Sequence, residues 1–308
     1  MKLQNMKIFT IVLFAVLLGL KAEAQQDPMY TQYMYNTMSV NPAYAGSREA
    51  LSIMGLMRMQ WLGITGAPRT QTLAIHSPVF SNNMGLGLSV VNDKLGFEQN
   101  TMLYGNYSYS IKTTKNAKLS FGLKVGLDMY KLDLTNSIHH QGGDDQAAGV
   151  KDNTYIPNFG FGVYYHSHKG YVGISAPKLL EKELNTKSIK ALQRRHYFLI
   201  GGYVFDLNDN LKFKPAFLAK AVEGAPIEFD LSANMLINDK LGVGLAYRTG
   251  DAISGLLQYY ITPQFRLGYA YDFTLTELRH DNSGSHELML SYDFLYANEN
   301  KIRSPRFF

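Results

Sequence analysis

The sequence predicts an all-β protein, a transmembrane antiparallel β-barrel of about 14 strands with both termini periplasmic. Three observations predict it. Apolar residues recur at every second position through most of the chain, the opposite face is made of Gly, Ser, Ala and isolated charges, and tight turns alternate with long loops.

The alternation is clearest where Leu119, Phe121, Leu123, Val125, Leu127 and Met129 fall on one face and Ser120, Gly122, Lys124, Gly126 and Asp128 on the other. That is the spacing of a strand with two chemically different sides. Phe265, Leu267, Tyr269, Tyr271 and Phe273 oppose Arg266, Gly268, Ala270 and Asp272 in the same way, and the pattern returns at residues 84–90, 159–165, 241–248 and 288–294. In a soluble sandwich the second face would be solvated and rich in Lys, Glu and Thr. Small residues with sparse charge suit the interior of a narrow barrel. The lumen charges are then Lys124, Asp128, Asp230, Arg248, Arg266, Asp272 and Asp293. They read more readily as an internal ion-pair network than as the lining of a solute path.

Strands are expected to begin near Leu51, Thr70, Met84, Asn100, Ala117, Pro157, Gly170, His196, Leu211, Ile227, Leu241, Ala252, Phe265 and His286. The even-to-odd links, at residues 81–83, 113–116, 167–169, 208–210, 238–240 and 262–264, are short and turn-like. The long insertions near residues 133–156, 177–194 and 274–285 fall on the other parity. Outer-membrane barrels carry tight turns on the periplasmic side and long loops outside, so the parity sets an expected orientation. The terminal Phe308 agrees weakly with that class.

Composition points the same way, with 21 Tyr, 17 Phe and 27 Gly against one Trp, and only 18% charged residues. Rings supply interfacial girdles and small residues fit inside. The net charge of +5 is scattered, with no basic block among aromatics, which argues against nucleic acid as a partner. The chain has no Cys, which closes the lipoprotein route, disulfides and thiolate metal sites.

The first residues read as a secretory signal. Lys2 and Lys7 precede an apolar run at residues 8–20 and then Ala22-Glu23-Ala24, so residues 1–24 are expected to be cleaved before Gln25. The run is too short for a spanning helix. Residues 25–49 are expected as a periplasmic N-terminal segment and residues 50–308 as the outer-membrane barrel. Asn41-Pro42 starts a turn and Gly46 permits one, so Tyr30 to Tyr44 should be an ordered, non-strand piece that plugs the lumen or lines the periplasmic rim.

No metal or catalytic site stands out. His139 and His140 with Asp144 and Asp145 match no ligand spacing, and a polar loop containing Gly142 and Gly143 is the simpler reading. His166 and His168 would point the same way across a tight turn but lack a third ligand. His76 and Ser77 are adjacent and so face opposite sides of a strand, which removes them as a hydrolase pair. Neither a G-x-S-x-G elbow nor a phosphate-cradling loop is present. The reading is non-enzymatic, with no cofactor.

Two stretches go beyond generic barrel patterning. One contains Asp27, Pro28, Tyr30, Gln32, Tyr33 and Asn36, followed by Asn41, Pro42, Ala43 and Gly46. The other contains Arg58, Gln60 and Trp61, then Gly66 and Pro68. Both resemble the PorP/SprF family of type IX secretion membrane proteins, as does the ending Ser304-Pro305-Arg306-Phe307. The resemblance covers nearly all of the expected mature chain. It implies a non-enzymatic outer-membrane barrel of the type IX secretion and gliding machinery. Such a barrel would be embedded in outer-membrane lipid and paired with the C-terminal sorting domain of a secreted surface adhesin, or with periplasmic ring components of the machine. Under that reading the long loop holding Gln141, Gly142, Gly143, Asp144 and Asp145 is the candidate client-binding element, and Trp61 serves equally as an interfacial girdle residue or a partner contact. The competing reading is an outer-membrane channel or transporter for small or hydrophobic solutes, which needs a continuous path through the lumen.

Overall fold

A computed structural model describes residues 27–79, 83–134, 151–185 and 190–294. The strands are β1 (Leu51–Met59), β2 (Arg69–Val79), β3 (Met84–Leu95), β4 (Glu98–Thr114), β5 (Ala117–Asp133), β6 (Lys151–Ser167), β7 (Gly170–Ala176), β8 (Lys182–Asn185), β9 (Lys190–Gln193), β10 (His196–Tyr203), β11 (Phe205–Asn208), β12 (Leu211–Val222), β13 (Glu228–Ile237), β14 (Leu241–Arg248), β15 (Ala252–Tyr260), β16 (Phe265–Thr274) and β17 (Ser285–Phe294). Neighbours pair antiparallel around the sheet, and β17 returns to β1 with Leu51 opposite Phe294 and Met59 opposite His286. The sheet therefore closes on itself, which is what a strand structure in hydrocarbon requires.

β10 and β11 are two halves of one wall strand, both paired with β12 and interrupted at Val204, whose N–H turns to the Lys169 carbonyl at 2.9 Å. β8 and β9 form a separate hairpin. The wall thus has 14 strands, as the alternation predicts. That hairpin lies within residues 177–194, which carry no alternation over a useful length and read as loop from sequence. β6 begins at Lys151, ahead of the expected start at Pro157. Its neighbour β7 pairs only as far as Phe161 opposite Ala176, so Pro157 lies in a stretch that projects past β7 and its missing N–H is not required there.

The wall is turned inside out relative to a soluble protein. Val125 and Leu245 are 64% and 67% exposed on its outer side, as are many other large apolar residues. An apolar surface of that extent is stable only against lipid. Among the described residues no helix is long and apolar enough to cross a membrane, so the strands are the spanning elements.

The principal apolar core lies in the lumen. Residues 27–50 enter the barrel and are largely buried, contributing Tyr30, Tyr33, Met34, Tyr35, Met38, Val40, Ala43 and Tyr44 to it. Their backbone is a run of turns, one short helix α1 (Thr37–Val40) and a 3-10 turn (Pro42–Tyr44). The Asn41 side chain caps that turn by accepting the Ala43 N–H at 3.0 Å, the turn that Asn41-Pro42 predicts. The segment crosses from one rim to the other. Asp27 sits beside Lys178, just past the end of β7 on the long-loop side, while residue 50 leads into β1 on the short-turn side. The described ends therefore lie at opposite rims, since β17 finishes at Phe294 on the short-turn side. The polypeptide before β1 thus doubles back through the lumen, the first of the two placements, lumen plug or rim, that the sequence leaves open for Tyr30 to Tyr44.

Candidate functional site

The lumen gathers most of the residues that the sequence singles out, and it does so around the segment that fills it. At the long-loop end, Lys178 Nζ lies 2.8 Å from Asp27 and 2.9 Å from Asp128, and the Tyr104 hydroxyl donates to Asp128 at 2.7 Å. Burial alone would raise the Asp27 carboxyl, but the Lys178 ammonium, helped by His196, holds it near 2. Lys124 lies over the Tyr104 ring at 4.3 Å. Lower down, the Arg58 guanidinium reaches Asp272 at 2.7 Å and Glu287 at 3.1 Å. Glu287 also accepts the backbone N–H groups of Thr31 and Gln32 at 3.0 and 2.9 Å, and Thr31 donates its hydroxyl to Asp272. Beside them the Tyr30 hydroxyl is 2.7 Å from that of Thr72, and Arg248 pairs with Asp230 at 2.7 Å while reaching the Tyr30 carbonyl.

Toward the short-turn end, Asn41 donates to the Val163 carbonyl at 3.0 Å, and Ser175 and Ser108 donate to the carbonyls of Val40 and Ala45 at 2.6 and 2.7 Å. The Arg266 guanidinium lies over the Tyr35 ring at 5.0 Å. Gly46 has φ +71, which a non-glycine residue adopts with strain, and its N–H meets His76 Nδ1 at 3.2 Å. Arg48 closes the run on Asp293 at 2.6 Å and Glu49 on Lys118 at 2.7 Å.

All seven predicted lumen charges point inward, and Asp230 and Arg248 pair with each other. Asp128, Asp272 and Asp293 instead take cations from Lys178, Arg58 and Arg48. Arg58 belongs to the family-like motif, but Lys178, Arg48 and Glu287 are not among the residues the sequence singles out. Glu287 occupies an inward position in the alternation of β17 and is legible on that basis. Lys178 and Arg48 lie in segments without periodicity, so no sequence signal marks them.

The motif residues divide into two groups. Asp27, Pro28, Tyr30, Gln32, Tyr33, Asn36, Asn41, Pro42, Ala43 and Gly46 lie on the lumen segment, with Arg58 on the wall facing it. Gln60, Trp61, Gly66 and Pro68 build the β1–β2 loop at the long-loop rim. There the Gln60 N–H meets the Pro68 carbonyl at 3.0 Å, the Gly66 carbonyl accepts from Gly96 at 2.8 Å, and Trp61 has φ +46 with its backbone N–H on Ser285 Oγ. Gln141, Gly142, Gly143, Asp144 and Asp145 lie outside the described residues, as do His139, His140 and the expected signal segment.

The two turn histidines do not converge: His166 is buried inside against Tyr164, while His168 is exposed, because the strand geometry ends at Ser167. Among the described residues no group of three or more His, Cys, Asp or Glu could hold a metal ion. His76 faces the lumen, and Ser77 is on the alternate position as the sequence predicts.

Comparison with solved structures finds barrels of similar form. Omp33 from Acinetobacter baumannii has 11% identity and a TM-score of 0.48, with 80% of this chain and 98% of that chain covered. The CymD monoaromatic hydrocarbon channel gives 12% and 0.48 over 87% and 94%, and a Pseudomonas aeruginosa FadL homologue 12% and 0.45 over 87% and 95%. Comparison with curated proteins gives no match. The model of the type IX secretion system membrane protein PorP/SprF family matches residues 22–292, which span the lumen segment and the whole wall. A closed 14-strand barrel with a lipid-facing apolar exterior fits a membrane protein of the outer membrane, and the chain belongs to the PorP/SprF family of type IX secretion system membrane proteins.

Proposed function

We propose that this barrel is a non-enzymatic, plugged anchor of the type IX machinery: its long external loops bind the C-terminal sorting domain of a secreted adhesin-like client and help export it or hold it at the surface. One observation supports this reading most. The lumen is occupied along its height by residues 27–50, fixed by ion pairs at Asp27, Arg48 and Glu49 and by the hydrogen bonds of Thr31 and Gln32 to Glu287. A solute transporter needs that space for its path, whereas an anchor does not. The proposed orientation puts the short-turn rim in the periplasm, where ring components of the machine would meet it, and the long loops outside. In that orientation Asp27, the first described residue, lies at the external rim.

Shortening residues 141–149 tests the assignment. The proposal expects a heat-modifiable, folded barrel in the outer membrane that releases its client, because a loop tip can be trimmed without touching the hydrogen-bonded wall. Unchanged client display together with substantial single-channel conductance of the unmodified barrel would replace this reading with transport of small or hydrophobic solutes.

A further inference from the structure

A row of cations crosses the outer face of the wall at the long-loop rim. Arg69 on β2 stands directly opposite Lys94 on β3, Lys94 opposite Gln99 on β4, and Gln99 opposite Lys131 on β5. All three cations are exposed and lie on the lipid-facing side of their strands. None makes an ion pair among the described residues, and no carboxylate stands opposite any of them in the ladder. The adjacent Asp93 points the other way, into the lumen, where Thr70 donates to it at 2.6 Å. Like charges directly opposite on one face of a sheet destabilise it. A breach of a local rule with no compensating ion pair among the described residues marks a place where a partner from outside can act.

The β1–β2 loop builds a cavity over the same spot. It has a volume of 500 Å3, and its lining includes Trp61, Ile64, Gly66, Arg69, Lys94 and Gly96. Its shape depends on unusual backbone: φ is positive at Trp61, Gly63, Gly66 and Gly96. An indole and two cations at this height suit the boundary between hydrocarbon and headgroups. The rows beneath agree with that level. The next outward row toward the membrane centre holds Gln71, Asn92 and Thr101, with Asn92 Oδ1 accepting from Gln99 and Thr101 at 2.7 and 3.1 Å. The row below is Leu73, Val90, Leu103 and Leu127, which is wholly apolar.

We propose that Arg69, Lys94 and Lys131 form a binding site for the phosphorylated headgroup of a membrane glycolipid. Arg69 and Lys94 hold one phosphate at the mouth of the cavity, with acyl chains lying down the apolar rows beneath. Lys131, two strands along and so about 10 Å away, takes a second phosphate. Charge complementarity selects this occupant: a cationic row without ion pairs among the described residues, just above an apolar band, matches an amphiphile with an anionic head, and not a neutral lipid or a second copy of the same cationic face. The identity of the leaflet rests on the orientation proposed above, whereas the chemistry of the site does not.

The test uses the mature barrel in neutral detergent, with bound lipid counted by native mass spectrometry against diphosphoryl lipid A, its dephosphorylated form and inorganic phosphate. Diphosphoryl lipid A should bind at least tenfold more tightly than the dephosphorylated form, and the preference should weaken with salt. Arg69→Gln, Lys94→Gln and Lys131→Gln together should abolish it, while Lys112→Gln with Lys115→Gln on the opposite rim should leave it intact. If the triple variant does not fold, Lys94→Gln alone should lower the preference severalfold. Equal binding of the two lipids, an unaffected triple variant, or displacement of the lipid by millimolar inorganic phosphate would overturn the site. Because the measurement is made in detergent, its failure is separate from failure of the orientation, which surface labelling of cells reads.

Discussion

Arg58 and Glu287 face each other in direct register across the seam where the first and last wall strands meet, and they form an ion pair of 3.1 Å that is shut away from solvent. The same pair holds the lumen segment, because Glu287 accepts two of its backbone N–H groups and Arg58 donates to Thr31 Oγ1 at 2.8 Å. Closing the barrel and seating its plug are therefore one event at this point. Arg58→Met removes the cation that Asp272 and Glu287 share, and removing one partner of a buried pair costs about 3–5 kcal/mol. Glu287→Gln keeps the Arg58–Asp272 pair and should cost about 1–3 kcal/mol, the penalty for a poorly satisfied buried group. Urea midpoints of the folded barrel in detergent check the ranking, and an Arg58→Met barrel as stable as the parent would remove the seam from this account.

The wall was legible in the sequence because the membrane imposes a two-sided chemistry at every second residue, as in β5 and β16. Parity of link lengths fixed the rims for the same reason. The lumen segment was legible only as ordered. Its turns follow from Asn41, Pro42 and Gly46, but its direction depends on contacts such as Asp27 with Lys178, which are remote in sequence and carry no period. The break at Val204 was hidden too, since the residues around it keep their alternation while one N–H changes partner.

The Asp27 anchor should depend on pH in one direction. Its carboxyl lies near 2 against an ordinary 3.8, because Lys178 outweighs the cost of burial. A depressed carboxyl contributes stability that is present above about pH 4 and lost as pH falls toward 2. The shift corresponds to about 2 kcal/mol, an upper figure because the side chain is 21% exposed. Asp27→Asn should reproduce at pH 7 the loosening that acid causes. Amide exchange in residues 29–33, referenced to β15 amides, measures it, and identical protection in both proteins at pH 7 would count against the anchor.

Orientation and threading are read together by single-cysteine labelling, which the absence of native Cys makes unambiguous. Gln26→Cys and Thr65→Cys should react on whole cells with an impermeant maleimide, while Asn116→Cys and Asp209→Cys should react only after permeabilisation. The mature mass should correspond to a chain beginning at Gln25. Reaction of Gln26→Cys with the Asn116 group would mean that the segment enters from the other rim, and a full reversal would invert the barrel.

Glycines of the wall separate the plug from the barrel that holds it. An added Cβ at Gly122 would sit 2.1 Å from Ala43 N, and one at Gly85 2.2 Å from Ala45 O, so the wall is bare where the segment's backbone passes. Those neighbours are main-chain atoms and cannot swing aside as a flexible side chain would. Gly122 still pairs with Ser108 and Gly162 through backbone alone, so Gly122→Val leaves the ladder intact and spoils only the seat. Gly255→Val is the control, because nothing lies within 4 Å of its added Cβ. Gly122→Val should give a folded, heat-modifiable barrel in which protease cuts within residues 27–50 and single-channel conductance appears, with Gly122→Ala between it and the parent. Gly255→Val should remain closed. A Gly122→Val barrel as closed and protected as the parent would show that the segment does not occupy this path. If the variant conducts and still displays its client, the loops and not the lumen carry recognition, because the interior has then been emptied without loss of the partner.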